Sequence, residues 1–224
     1  MSKKEYPYIP FKGKDYSTEE MIEKSRSFYE WSDKRRSVRD FDSKPVPKEV
    51  MENILMTAST APSGAHKQPW TFCLISNDSL KSKLRALAEE EEKKSYGGRM
   101  SDEWLEDLAP LGTDWKKEFI DIAPWIVVVM KRAYEYNEDG SKHNNYYVSE
   151  SVGLASGFLL MAVHNAGLVA LTHTPSPMNF IAKALERPEN ERPYLLIPVG
   201  FPAKDAMVPD LSRKTKSDVI DYYD

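Results

Sequence analysis

The order of apolar patterns along the chain predicts an α+β fold built as one domain, residues 1–224. Stretches with helical periodicity and short runs of β-forming residues follow one another without the regular βαβ alternation of a doubly wound sheet. Residues 125–130 form an unbroken apolar run, which predicts a strand covered on both faces. At 224 residues and 41% hydrophobic content, the chain is long enough to bury roughly 70% of its unfolded surface.

Each element has a local reason. Ser17 with Glu20 has capping-box spacing and opens a helix to about residue 34, with Met21, Ile22, Phe28, Tyr29 and Trp31 as its apolar positions. Pro47 suits the first turn of a second helix carrying Val50, Met51, Ile54, Leu55 and Ala58. A turn over 60–69 leads into a strand at 71–76, and Asn77 or Asp78 caps a third helix over 79–96. Gly97 and Gly98 break it. The short, aromatic segment that follows, with residues 93–121 taken together, reads as a lid over a site. Residues 132–143 read as a polar loop. Residues 145–165 form a helix that is apolar around most of its circumference from Val152 on, expected at the centre of the molecule or at a subunit interface. A strand at 168–172, a short helix at 180–185 and a strand at 194–199 precede a polar tail broken by Pro202 and Pro209.

Composition removes several function classes. A net charge of −4 with mixed signs has no basic stripe for nucleic acid. The N-terminal residues lack the apolar core of a signal peptide. Residues 152–171 carry no charge, but Asn165 and Gly167 divide them into a helix end and a strand, each too short to span a bilayer. Cys73, without a second cysteine to pair with, reads as a small buried hydrophobe, and a reducing cytoplasm fits. The four histidines have no metal-ligand spacing, so no metal is expected. No GxGxxG, P-loop or GxSxG elbow occurs, which removes a dinucleotide fingerprint and a hydrolase built on Ser63.

Two constellations carry chemistry. Arg35, Arg36 and Arg39 in RRSVR stand ahead of the small-residue turn Pro62, Ser63, Gly64, Ala65 and His66. Guanidinium forks suit a phosphate and the turn offers backbone N–H groups, which together suggest a phosphate-anchored flavin site. Solvated surface arginines are the competing reading. Glu92 and Tyr96, four apart, share one helix face. With Lys116 or Lys117 they make a set able to grip an α-amino acid at its ammonium and carboxylate. A solvated Glu/Lys-rich helix end is the alternative.

Six segments in order, RRSVR at 35–39, TAPSGAHKQPW at 60–70, EEEEKKSY at 89–96, TDWKKE at 113–118, LTHTP at 171–175 and VPDLSRK at 208–214, resemble the iodotyrosine deiodinase family of the flavin-dependent nitroreductase superfamily. The resemblance covers most of the chain after about Trp31. It implies a nitroreductase-like fold with a mostly antiparallel central sheet flanked by helices, in an intertwined homodimer with exchanged terminal segments. Residues 201–224 would then pack on the partner subunit. It implies FMN as cofactor, held by Arg35, Arg36, Ser37, Arg39 and Arg213, with Pro62, Ser63, Thr172, His173 and Thr174 along the ring. Thr174 matches the residue bonding N5, and the Ala65 N–H matches the group that meets a substrate phenolate. Glu92, Tyr96 and Lys117 match the clamp for the amino-acid end of a halotyrosine. The implied reaction is reductive dehalogenation to tyrosine and halide, with an external electron donor. A general FMN nitroreductase or quinone reductase, and a non-catalytic flavin or halotyrosine binder, are the rival readings. Against animal relatives, His173 stands where a threonine is carried, and a soluble, bacterial-type form without their N-terminal membrane anchor is expected.

Overall fold

The structure is a computed structural model and describes residues 6–223. It divides into two units, one ending at Arg35 and one beginning at Arg36. In the first, helix α1 (Thr18–Asp33) opens as its sequence dictates: the Ser17 hydroxyl accepts from Glu20 N–H at 3.2 Å while the Glu20 carboxylate accepts from Ser17 N–H at 2.8 Å. Two otherwise orphaned donors are thereby satisfied. None of the α1 residues is buried, and Met21, Ile22, Phe28 and Tyr29 are exposed.

The second unit is built on a five-stranded antiparallel sheet. Its order is β1 (Phe41–Asp42), β7 (Glu191–Pro202), β3 (Trp125–Arg132) and β2 (Trp70–Ile75), with β6 (Val169–Ala170) also pairing with β7. Strand β3 is covered on both faces, and its side chains alternate between two cores. Val127 and Val129 pack under α2 (Lys48–Ala58) and α6 (Val148–Asn165), with Met51, Ile54, Val152, Ala155 and Leu159. Ile126, Val128 and Met130 pack under α3 (Asp78–Lys94), α5 (Phe119–Ile122) and α7 (Asn179–Ala184), with Leu84, Ala88, Ile120 and Ile181. Each fully buried aliphatic side chain of this kind contributes roughly 1.5–3 kcal/mol. A carboxylate at Val128 would be stranded between the layers.

Strand β7 is longer than its apolar stretch suggests because it passes through Pro193. The register of β3 against β7 shifts between Val129 and Met130, opposite that proline, and this bulge absorbs the missing donor. The residues read as a polar loop at 132–143 instead form a hairpin, β4 (Tyr134–Tyr136) with β5 (Lys142–Asn144). Helix α6 is buried along one side only, leaving Leu154 and Phe158 50% and 41% exposed. No helix of the described residues is long and apolar enough to cross a membrane.

Two segments read as functional units also make contacts within the chain. The lid read over 93–121 includes Phe119 and Ile120, which are buried in the core, so its last residues belong to the body. Its exposed part contains α4 (Asp102–Leu108). The tail read as serving a partner from residue 201 begins by packing on its own chain: Ala203 N–H donates to Asp40 O at 2.9 Å and Met207 N–H to the Asp40 carboxylate at 3.3 Å. The exposed remainder, residues 210–223, holds α8 (Lys216–Val219).

Candidate active site

Helix α3 starts at Asn77, whose side chain accepts from Leu80 N–H at 2.9 Å, and continues past Lys94 into one wider π-helical turn over Ser95–Arg99. Such turns cluster at functional sites. Gly98, at φ 131°, provides the exit. The widened turn carries Tyr96, whose hydroxyl donates to Thr113 O at 3.3 Å. Facing it is Lys117, with its Nζ 3.5 Å from the Glu92 carboxylate and 5.6 Å from the Tyr96 ring centroid. The same ammonium also donates to Asp114 O. The fold thus selects Lys117 over Lys116, which is exposed and lies 5.8 Å from the Trp115 ring centroid.

Glu92 and Lys117 are 7% and 3% exposed, and their electrostatics record the cost. Burial pushes the Glu92 carboxyl upward despite the lysine, and burial pulls the Lys117 ammonium downward despite the glutamate. Both shift toward their neutral forms, so the pair compensates its own desolvation incompletely. Burial likewise raises the Tyr96 phenol. Arg39 joins this set as a half-buried guanidinium whose pKa burial lowers, with Tyr96 and Asp40 opposing the shift. A cavity of about 620 Å³ lined by Arg39, Thr113, Asp114 and Phe119, among others, adjoins these groups.

The arginine run reaches the sheet through Ser37, which bridges Ala170 in parallel, with Val38 N–H donating to Ala170 O at 3.2 Å. Arg36 donates to Pro209 O, tying the run to the start of the tail. Beyond Ala170 the chain is extended with period 2: Leu171, His173 and Pro175 are buried, while Thr172 and Thr174 are exposed. Paired bonds of 2.9 and 3.0 Å between His173 and Leu196 fix that alternation. The His173 side chain therefore leaves the row of the two threonines. Its ring lies edge-on to Phe119 at 5.6 Å, and its Nε2 has no partner among the described residues. Burial, with Lys117 and Arg39 adding to it, lowers the His173 pKa to about 3.

In the turn over 62–68, Ser63 Oγ accepts from Gln68 N–H at 2.9 Å and Ser151 Oγ from Gly64 N–H at 3.2 Å. His66 N–H donates to Ser63 O and Lys67 N–H to Gly64 O, each at 3.0 Å. Ala65 is exposed and left-handed at φ 48°, ψ 30°, a strained state for a residue with a Cβ. Gly64 is required for a different reason: a Cβ there would lie 2.8 Å from the Tyr147 ring.

The second unit thus holds Arg36, Ser37, Arg39, Glu92, Tyr96, Lys117, Thr172 and Thr174, and links them through Arg39, His173 and the Ser37–Ala170 bridge. Arg35 ends the first unit, and Arg213 lies in the exposed tail. Ser151, Thr113 and Phe119 support the site, and nothing in their spacing marks them as functional. No group of histidine, cysteine, aspartate and glutamate side chains among the described residues is arranged to hold a metal.

An antiparallel sheet between helices with this site defines a class. Residues 33–201 match the model of the nitroreductase family, and the chain belongs to that family. Among the relatives, the chain is 61% identical to iodotyrosine deiodinase from Haliscomenobacter hydrossis over 216 residues, 96% of this chain and 97% of the relative. It is 46% identical to iodotyrosine deiodinase from Danio rerio over 217 residues, 96% of this chain and 73% of the relative. The fold also superposes on the crystal structure of oxidized iodotyrosine deiodinase bound to FMN and 3-iodo-L-tyrosine. There the TM-score is 0.74 at 31% identity, covering 88% of this chain and 98% of the other.

Proposed function

We propose that the protein is an FMN-dependent reductive dehalogenase that converts iodotyrosine and related halotyrosines to tyrosine and halide. The carrying observation is the buried Glu92–Lys117 pair under Tyr96, both of whose charges are incompletely compensated. An amino-acid zwitterion supplies the missing partners, its ammonium to Glu92 and its carboxylate to Lys117. A nitroaromatic or quinone offers neither charge, and a general reductase has no use for the arrangement.

The residues fit FMN. Arg35, Arg36, Ser37 and Arg39, with Arg213 from the tail, supply donors suited to a phosphate. The turn at Pro62 and Ser63 and the exposed row of Thr172 and Thr174 would line the ring, and the Thr174 hydroxyl would bond N5. When bound and reduced, FMN supplies the two electrons that, with a proton, replace the carbon–halogen bond by carbon–hydrogen and free the halide. The chain's own residues orient the substrate. Glu92, Tyr96 and Lys117 fix its amino-acid end, and the Ala65 N–H stabilises the phenolate oxygen. The exposed part of the lid excludes water when it closes. An ortho halogen acidifies the phenol, so a halotyrosine yields its phenolate more readily than tyrosine, whose pKa is ~10.

The reading includes a homodimer. Leu154 and Phe158 on α6, four exposed apolar residues on α1, and Val219, Ile220 and Tyr222 in the tail offer apolar surface for a second copy. An external reductant and a cytoplasmic setting complete it, the latter in keeping with the free thiol of Cys73.

The test is anaerobic turnover by dithionite-reduced FMN protein with iodo-, bromo- and chlorotyrosine. Iodide released in proportion to reduced flavin is the expected result. Reduction of nitroaromatics without any halide from the three halotyrosines would move the protein to the general reductases, and binding without turnover would make it a carrier.

A further inference from the structure

Glu89 lies three residues before Glu92 on α3 and shares its face. Its carboxylate accepts from the backbone N–H of Lys117 at 2.8 Å, across 28 residues of sequence. Arg85 Nε donates to the same carboxylate oxygen at 2.8 Å, and Arg85 Nη1 to the Asp121 carboxylate at 2.9 Å, with Glu118 at 3.7 Å from Nη2. The fastening extends one turn further back. Ser82 Oγ donates to Asp121 Oδ1 at 3.1 Å, and the buried Lys81 ammonium donates to the carbonyls of Asp121 and Ala123 at 3.0 and 3.1 Å. Burial works to raise the Glu89 carboxyl, but the Lys117 N–H and Arg85 more than offset it, so it remains a firm anionic acceptor. Helix α3 consequently holds Lys117 twice: Glu89 takes the backbone and Glu92 faces the ammonium.

We infer that Glu89, oriented by Arg85, is a positioning residue that sets the place of Lys117 against Glu92 and thereby sets selectivity for a halogenated α-amino acid over a plain halophenol. This rests on the halotyrosine reading. The lysine side chain is long and flexible, and a glutamate facing it does not by itself fix where the ammonium sits. Pinning the lysine backbone to the helix that carries its partner removes that freedom, so the clamp is set before substrate arrives. A halophenol has no zwitterion and makes no use of the clamp. Its binding relies on the ring and the phenolate oxygen alone.

The test uses FMN-loaded protein, comparing wild type with Glu89→Leu, Glu89→Gln and Glu89→Asp. Dissociation constants for 3-iodotyrosine and 2-iodophenol come from quenching of flavin fluorescence, with KM and kcat from iodide release. Loss of one charged hydrogen bond at this position is expected to raise Kd and KM for iodotyrosine about tenfold in Glu89→Leu. The iodophenol constants and kcat for both substrates should stay within about twofold, a change too small to reflect a lost hydrogen bond. Glu89→Gln keeps an acceptor for the Lys117 N–H and should recover most of the loss. Glu89→Asp keeps the charge but falls short of the N–H, and decides the matter if the leucine variant fails to hold FMN: it should show the same loss confined to iodotyrosine. Unchanged iodotyrosine affinity in Glu89→Asp and Glu89→Leu, equal losses for both ligands, or a glutamine variant as impaired as the leucine one would each overturn the role of Glu89. Wild-type protein that neither binds nor dehalogenates iodotyrosine would remove the halotyrosine reading itself, a different result from a normal wild type with an indifferent Glu89.

Discussion

The two charged regions of the molecule are built on opposite plans. Glu92 and Lys117 are buried and paired at 3.5 Å, whereas Arg36 and Arg39 stay half-buried, and neither forms an ion pair with a carboxylate among the described residues. In the first region the counter-charge is internal and the geometry is held from α3. In the second, no carboxylate of the described residues pairs with the guanidinium groups, which on the proposed reading suits them to the FMN phosphate. Charges already paired in a dry setting select by shape and position, while half-exposed guanidinium groups supply affinity for any suitable phosphate.

The largest effect is expected from breaking the internal pair. Lys117→Met leaves the substrate carboxylate without its partner and should cost about 2–5 kcal/mol in binding iodotyrosine, read by calorimetry on FMN-loaded protein. The double variant Glu92→Leu with Lys117→Met is expected to unfold at the same or higher urea concentration than wild type and still not bind iodotyrosine. A large loss of stability in the double variant would mean that the pair serves the fold rather than a ligand.

Next comes the place where the two regions meet, the His173 ring faced by Lys117 and Arg39. Its folded pKa of about 3 lies below the unfolded value of 6.5, so the unfolded chain takes up a proton that the native chain refuses. The stabilisation from keeping it neutral is complete above pH 6.5 and is lost as the pH falls toward 3. The slope is up to about 1.4 kcal/mol per pH unit. Urea midpoints at pH 7, 5 and 4 should fall steeply in wild type and less so in His173→Leu. Parallel curves would place the protonation elsewhere.

The open region gives a smaller change. Arg36→Ala is expected to weaken FMN binding by about 1.5–3 kcal/mol, measured by flavin titration of stripped protein, while iodotyrosine selectivity at saturating FMN is unchanged. Selectivity that moved with Arg36 would dissolve the division between the regions. The smallest effect belongs to Thr174→Ala, which should retain FMN and slow iodide release about tenfold through one lost hydrogen bond. Full turnover would remove the hydroxyl from the reaction.

Sequence reading reached the elements whose signals are local. The capping box at Ser17 and Glu20, the alternating cores fed by residues 125–130, and the Asn77 cap are all decided within a few positions. The hairpin of β4 and β5 escaped because its three-residue strands are mostly polar, and pair only with each other. The start of β7 escaped because a proline reads as a stop unless the pairing shifts register, as it does opposite Pro193 between Val129 and Met130. At the site, Glu92 and Tyr96 shared a face by spacing alone, but the choice of Lys117 over Lys116 depended on which side chain the turn into α5 buries. The departure of His173 from the threonine row is visible only once Leu196 pins the backbone. The contact from Glu89 to Lys117 joins a carboxylate to a main-chain group across 28 residues, and no side-chain pattern announces it.

The amino-acid clamp and the glutamate that braces it all fall between residues 89 and 117, whereas the arginines, the 62–68 turn and the threonine row lie outside that stretch. On the proposed reading, selectivity is a cassette set into a flavin-binding frame. Exchanging that segment between family members, with Arg85 and Asp121 kept as its docking points, offers a route to change which aromatic compounds are reduced without rebuilding the cofactor site.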